Sequence, residues 1–150
     1  MRILWKIKTF DALSSTEVYE LLKLRQKVFI VEQTCPYLDA DGTDLHALHL
    51  WAEIDGNFAA YCRIFPNEIK YPETSIGRVL THPNYRRLSL GRTLMRIAIG
   101  TINARFPGHG IKISAQDYLL HFYESFGFEE TGNKYLEDDI PHSEMIRRFI

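Results

Sequence analysis

The sequence is poor in the features that would assign it to a specialised class. Only two cysteines, Cys35 and Cys62, occur in 150 residues. That is too few for a disulfide framework and fits free thiols in a reducing cytoplasm. Neither sign of charge is in excess, since 18 Lys and Arg oppose 19 Asp and Glu for a net charge of −1. A general nucleic-acid binder normally carries a basic surplus, so this balance argues against one. No stretch approaches the roughly 18 consecutive apolar residues of a membrane span. The opening MRILWKIKTF is too charged and lacks the long apolar core of a secretory signal. The phosphate-binding fingerprints GxxxxGKS/T and GxGxxG are both missing. The expectation is a cytoplasmic single domain over residues 1–150, with no membrane or nucleic-acid partner.

What is present is a well-punctuated α/β pattern. Arg2 to Phe10 alternates apolar and basic residues and reads as a strand. Ser14 and Glu17 have capping-box spacing, and Val18, Leu21, Leu22, Arg25 and Val28 follow at helical intervals, predicting a helix over 16–29. Residues 36–45 form an acidic loop. Its Asp39, Asp41 and Asp44 surround Gly42 out of register with a calcium loop, and Leu50 stands where the bidentate Glu would be, so an Asp-stabilised turn is the reading. Leu48–Ile54, Asp55-Gly56 and Phe58–Phe65 predict a hairpin with a type I′ turn. His46 and His49, three residues apart, fall on opposite faces and do not suit a shared metal.

The stretch from Ser75 to Gly100 combines three parts. Ile76–Leu80 reads as a buried strand, Pro83–Gly91 as a basic loop, and Leu90, Leu94, Ile97 and Ala98 mark a helix to about Arg105. Strand, basic turn and helix together can bind phosphate. Free amides and the helix dipole offer partial positive charge, and Arg86, Arg87 and Arg92 add full charges. Further on, Ile111–Ala115 reads as a short strand and Tyr118–Phe126 as a helix stopped by Gly127. Phe128–Glu137 and Ser143–Phe149 read as closing strands around an acidic loop that includes His142.

Tyr85-Arg86-Arg87-Leu88-Ser89-Leu90-Gly91-Arg92 resembles the acyl-CoA loop of the GNAT acyltransferase superfamily, R/Q-x-x-G-x-G/A. Arg86 and Gly91 match its ends, and Ser89 stands where the first glycine usually is. Ala115 to Phe128 resembles the second signature of that superfamily, a strand followed by N-x-x-A-x-x-x-Y-x-x-x-G-F. Here Gln116 replaces Asn, Leu119 replaces a small residue, and Tyr123 and Gly127-Phe128 match. Leu24 to Gln33, Cys35-Pro36-Tyr37, Asp41 to Asp44 and Tyr135 to Met145 are similar to the ElaA-like branch. The Leu-Arg-x-x-Val-Phe piece is also similar to acyl-homoserine lactone synthases, whose longer C-terminal part this chain lacks.

The resemblance implies the GNAT fold, a mixed and mostly antiparallel sheet of about seven strands with a splayed parallel pair and about four flanking helices. It implies acetyl-CoA as co-substrate, with no metal, and acyl transfer to a small-molecule or peptide amine. Val79, Leu80 and Thr81 would pair with the pantetheine arm. Arg86, Arg87, Leu88, Ser89, Leu90, Gly91 and Arg92 would hold the pyrophosphate, and Gln116 would border the cofactor. Tyr123 would give a proton to the departing thiolate, and a phenol at its ordinary pKa near 10 is protonated at neutral pH. The superfamily's carboxylate on the central strand has no match, because Gly77 and Arg78 occupy that region. Glu32 and His49 are the candidates for the general base, with Asp41, Asp44, His142 and a water relay as alternatives. Asp39, Asp41, Asp44, Glu137, Asp138 and Asp139 would form an acidic mouth for a cationic acceptor if their loops converge. The alternative functions are a non-catalytic acyl-CoA-binding or sensory module and an acyl-homoserine-lactone-synthase-like acyltransferase, and the resemblance is compatible with a homodimer through the terminal strands.

Overall fold

The computed structural model describes residues 1–149. Seven strands and three α-helices follow one another as β1 (Ile3–Thr9), α1 (Ser15–Arg25), β2 (Leu48–Ile54), β3 (Asn57–Phe65), β4 (Ser75–Thr81), α2 (Leu90–Arg105), β5 (Ile111–Gln116), α3 (Leu120–Glu124), β6 (Glu129–Glu137) and β7 (Ile140–Arg147). The strands form two antiparallel sheets, β1-β2-β3-β4 and β5-β7-β6. The sheets meet where β4 and β5 begin, at one parallel bridge between Thr74 and Ile111. Lys112 N–H donates to Thr74 O at 2.9 Å and Thr74 N–H to Gly110 O at 3.2 Å. Beyond that point the two strands part, and this divergence opens the cleft.

The layers close around apolar side chains placed by simple periodicity. On α2, Leu94, Ala98 and Ile102 share one face with Met95, and all four are fully buried. They pack against Leu50, Cys62 and Ile64 of β2 and β3 and against Ile111, Ile113 and Met145 of the second sheet. Trp51 points to the other face of the first sheet, stacked on Phe58 at 5.2 Å between ring centroids. Leu21, Leu24 and Val28 cover it.

Several elements differ from the sequence expectation, each for a local reason. The helix expected over 16–29 begins with the capping box, Glu17 N–H to Ser14 Oγ at 3.1 Å and Ser14 N–H to Glu17 Oε1 at 2.9 Å. Its α-helical part ends at Arg25, and Gln26–Glu32 continues with π-helical pairing. Such wider turns occur preferentially at functional sites, and this one brings Val28, Phe29 and Glu32 to the cleft wall. The hairpin turn at Asp55-Gly56 has φ of 51° and 81°, as a type I′ turn requires.

At the C-terminal end the acidic loop contracts to a two-residue turn. Asp138 and Asp139 adopt φ of 50° and 62°, a left-handed conformation that aspartate tolerates better than most residues. The last strand therefore starts at Ile140, and His142 lies inside it opposite Tyr135 and Gln116.

A bulge absent from the sequence reading interrupts β4. Ala60, Tyr61 and Arg63 of β3 pair with Thr81, Leu80 and Gly77, so Arg78 and Val79 together face Cys62. Arg78 takes φ of 51° there. Ser89, just before α2, is also left-handed at φ 55° and ψ 30°. A glycine adopts that conformation without the Cβ penalty, although it loses more entropy on folding. Ser89→Gly is expected to raise stability by about 0.5–1 kcal/mol. Urea unfolding checks this, and a less stable variant would mean that the serine side chain itself holds the loop.

Candidate active site

The cleft between the diverging strands encloses about 710 Å³. One wall is β4 from Ile76 to Thr81, and the facing wall is Ile113, Ser114 and Gln116 of β5. Leu119, Phe122 and Tyr123 close one side. The π-helical turn borders the cleft at Glu32 and Gln33, and Glu137, Asp138, Ile140 and His142 border it from the β6–β7 hairpin.

The edge of β4 that faces the cleft carries no strand partner after Thr74, since β4 pairs only with β3 and β5 only with β7. Unpaired backbone donors and acceptors along an extended edge are an open template for another extended chain. At one end of that edge stands the N-terminus of α2, sixteen residues long, with no side-chain cap at Ser89. Its first amides are free to receive an anion. Arg86 and Gly91 line the cleft at this end.

The expected anion-binding residues are thus not equivalent. Leu90 is buried in the core, and Ser89 acts through its backbone turn. Arg92 points toward α3, with Nη1 3.4 Å from Ser125 Oγ and its guanidinium over the Phe126 ring. Arg87 and Leu88 are exposed and outside the cleft lining. Val79, Leu80, Thr81, Gln116 and Tyr123 all line the cleft. The Gln116 amide Nε2 pairs with Gln33 Oε1 at 3.3 Å, and Gln33 Nε2 returns a bond to Gln116 Oε1 at 3.1 Å.

Tyr123 is 6% exposed. Its ring packs edge-on against Phe122 and Phe128 at 5.2 and 6.0 Å between centroids. Burial pushes its phenol well above the ordinary value. Among the described residues, no group hydrogen-bonds to its hydroxyl.

Of the two candidates for the general base, the structure removes His49 from the cleft and leaves Glu32 at its border. His49 is fully buried in β2, outside the cleft. Both ring nitrogens are engaged, Nδ1 with the Tyr61 hydroxyl at 2.6 Å and Nε2 with the Asp44 carbonyl at 2.9 Å. Burial lowers its pKa, and it fastens loop 36–45 to the sheet. Glu32 does border the cleft, but Arg86 grips it with both guanidinium nitrogens, Nη1 at 2.8 Å from Oε2. The Arg86 hydrogen bonds hold that carboxyl below its usual range, which weakens it as a proton acceptor.

The acidic mouth is corrected as well. Asp39, Asp41 and Asp44 fold inward onto Arg25, Arg63 and Arg78. Arg25 reaches Asp39 Oδ2 with Nε at 2.8 Å and Asp44 Oδ1 with Nη1 at 2.7 Å. Arg63 reaches Asp44 at 2.8 Å and Asp41 at 2.7 Å, and Arg78 Nε reaches Asp39 at 2.9 Å. Three carboxylates meet three guanidinium groups, so the loop is neutralised and anchored. Arg25 in an otherwise apolar helical series was the sequence signal for this network, because a buried cation needs a partner. Gln33, Cys35 and Tyr37 also border the cleft and had no signal in the sequence beyond the resemblance.

Comparison with known proteins agrees with this geometry. Residues 23–149 match the family model described as Acetyltransferase (GNAT) domain. The chain is 42% identical over 150 residues to a UPF0039 protein of Synechocystis, covering 99% of this chain and 97% of that one. It is 37% identical over 148 residues to protein ElaA of Escherichia coli, covering 97% of each. The crystal structure of an acyl-CoA N-acyltransferase from Pseudomonas aeruginosa superposes with a TM-score of 0.93 at 38% identity, covering 97% of this chain and 99% of that one. That of Escherichia coli ElaA superposes with a TM-score of 0.91 at 36% identity, covering 98% and 100%.

Proposed function

Because the chain belongs to the GNAT acetyltransferase family, we propose that it transfers an acetyl group from acetyl-CoA to a primary amine, with Tyr123 as the general acid. The observation that carries this reading is the unpartnered β4 edge running to the uncapped start of α2. The open backbone edge along Val79, Leu80 and Thr81 suits the two amides of a pantetheine arm. The amides at Gly91, with Arg86 beside them, suit its pyrophosphate.

Acetyl-CoA supplies the acyl group as a thioester. The bulged stretch Arg78–Val79 borders the cleft, and a backbone N–H there would receive the charge that develops on the carbonyl oxygen. Tyr123, neutral and facing the same space, donates to the sulfur as it departs. The Arg86–Glu32 pair opens when the more highly charged pyrophosphate takes the guanidinium.

Calorimetry with acetyl-CoA tests the reading. Micromolar binding is expected, weakened about tenfold or more in Arg86→Ala and little changed in Arg92→Ala, because only Arg86 lines the cleft. Equal losses in the two variants would mean that the pyrophosphate lies along α2 instead. No binding by the unaltered protein would end the acetyl-CoA reading.

A further inference from the structure

Resting on that acetyl-transfer reading, we propose that the β6–β7 wall of the cleft is the acceptor subsite for a primary alkylammonium, and that His142 Nε2 receives the proton this ammonium must lose. Glu32 is held by Arg86 until the pyrophosphate takes that guanidinium, and Asp39, Asp41 and Asp44 lie outside the cleft lining, bound to the arginine network. Glu137 and Asp138 remain at the cleft, and no Lys or Arg pairs with either among the described residues.

His142 is the buried polar group that gives this wall its chemistry. Its side chain is 7% exposed. Nδ1 lies 2.7 Å from the Ile140 carbonyl. A carbonyl only accepts, so Nδ1 carries the hydrogen, and in the neutral imidazole Nε2 then presents a lone pair. That lone pair faces Glu137 Oε2 at 3.3 Å. In that neutral form two acceptors face each other, and the contact is completed only by a proton on Nε2 or by a donor placed between them. A donor ammonium placed there satisfies both, and a proton passed to Nε2 turns the contact into an ion pair. Tyr135 stacks on the imidazole at 12° between planes and is itself tied to Ser114, which fixes the direction of Nε2. The charged and titratable groups facing the ring are Glu137 and Tyr135 from β6, while β5 presents the neutral Gln116 and Asp138 lines the cleft from the turn.

The reaction balances with these two residues. The ammonium gives one proton to His142, and the freed nitrogen lone pair forms the C–N bond while the C–S bond breaks. The sulfur takes a proton from Tyr123, and the second proton lost from nitrogen replaces it. His142 then discharges to solvent, so amide, thiol and one proton leave.

The test separates basic from non-basic acceptors. Thiol release is followed with acetyl-CoA and either an alkylamine, which is an ammonium at neutral pH, or an alkoxyamine, which is already neutral there. His142→Gln is expected to lower kcat/KM for the alkylamine about 100-fold and for the alkoxyamine less than about threefold. Glu137→Gln, at a half-exposed position, is expected to raise KM for the alkylamine about tenfold and that for the alkoxyamine less than about threefold. Equal losses for the two amines, or no loss for the alkylamine in either variant, overturn the subsite while the acetyl-transfer reading stands. An unaltered protein that neither binds acetyl-CoA nor releases thiol overturns both.

Discussion

Replacing Tyr123 by Phe is expected to lower kcat by about 10²–10³-fold and to leave acetyl-CoA affinity within about twofold. The two side chains differ by one hydroxyl, and the packing of the ring against Phe122 and Phe128 survives the exchange. Burial holds the phenol proton more firmly than usual, so the group is neutral at physiological pH and, in the proposed reaction, would donate to the departing sulfur. A raised pKa makes donation to a thiolate uphill by itself. Loss of a proton from the newly acylated nitrogen, a far stronger acid than either group, drives the exchange. Steady-state thiol release with calorimetry on the same variant separates the two effects. Unchanged turnover would remove Tyr123 from the chemistry, and a parallel loss of affinity would give it a binding role instead.

Asp44→Ala is expected to cost about 3–5 kcal/mol of folding stability, because it leaves Arg25 and Arg63 buried with their shared carboxylate gone. Asp44→Asn should cost less, since an amide oxygen still accepts one of these hydrogen bonds. Both variants should also loosen loop 36–45, which His49 fastens through the Asp44 carbonyl.

The same network sets the response to acid. Burial alone would raise the carboxyls of Asp41 and Asp44. Hydrogen bonds from Arg63 and Thr43 to Asp41, and from Arg25 and Arg63 to Asp44, outweigh it and hold both below the normal range. A carboxylate with a depressed folded-state pKa contributes stability that is complete above its unfolded value, near 3.9 for Asp, and is lost as pH falls through the folded value. The stability difference between the unaltered protein and Asp44→Asn should therefore be constant from neutral pH to about 5 and shrink below about 4. Urea titrations at several pH values measure it. A difference independent of pH down to 3 would show that Asp44 acts through packing.

Much of the architecture was legible because it depends on local patterns. The capping box at Ser14 and Glu17, the Asp55-Gly56 turn, the apolar face of α2 and the Gly127 stop each follow from spacing or from backbone freedom. The cleft residues Val79 to Thr81, Gln116 and Tyr123 came from resemblance of two stretches, and those stretches flank the gap between β4 and β5. Spacing could not show which of two arginines faces the cleft. Arg86 and Arg92 lie on either side of a left-handed turn at Ser89, and that turn sends them in different directions.

The sequence by itself determined the order of elements, the family and the tyrosine that lines the cleft, because these are written in contiguous residues. Only the tertiary structure decided what the charged side chains do. Asp39, Asp41 and Asp44 read as an open acidic loop until Arg25, Arg63 and Arg78, from three different elements, are seen to neutralise them. Glu32 reads as a free carboxylate until Arg86, 54 residues away, is seen to pair with it. His142 reads as a loop residue until the Asp138-Asp139 turn brings it into β7 against Glu137. The role of an ionisable group follows from its dielectric surroundings and its nearest opposite charge, and both are contributed by chain segments far apart in sequence.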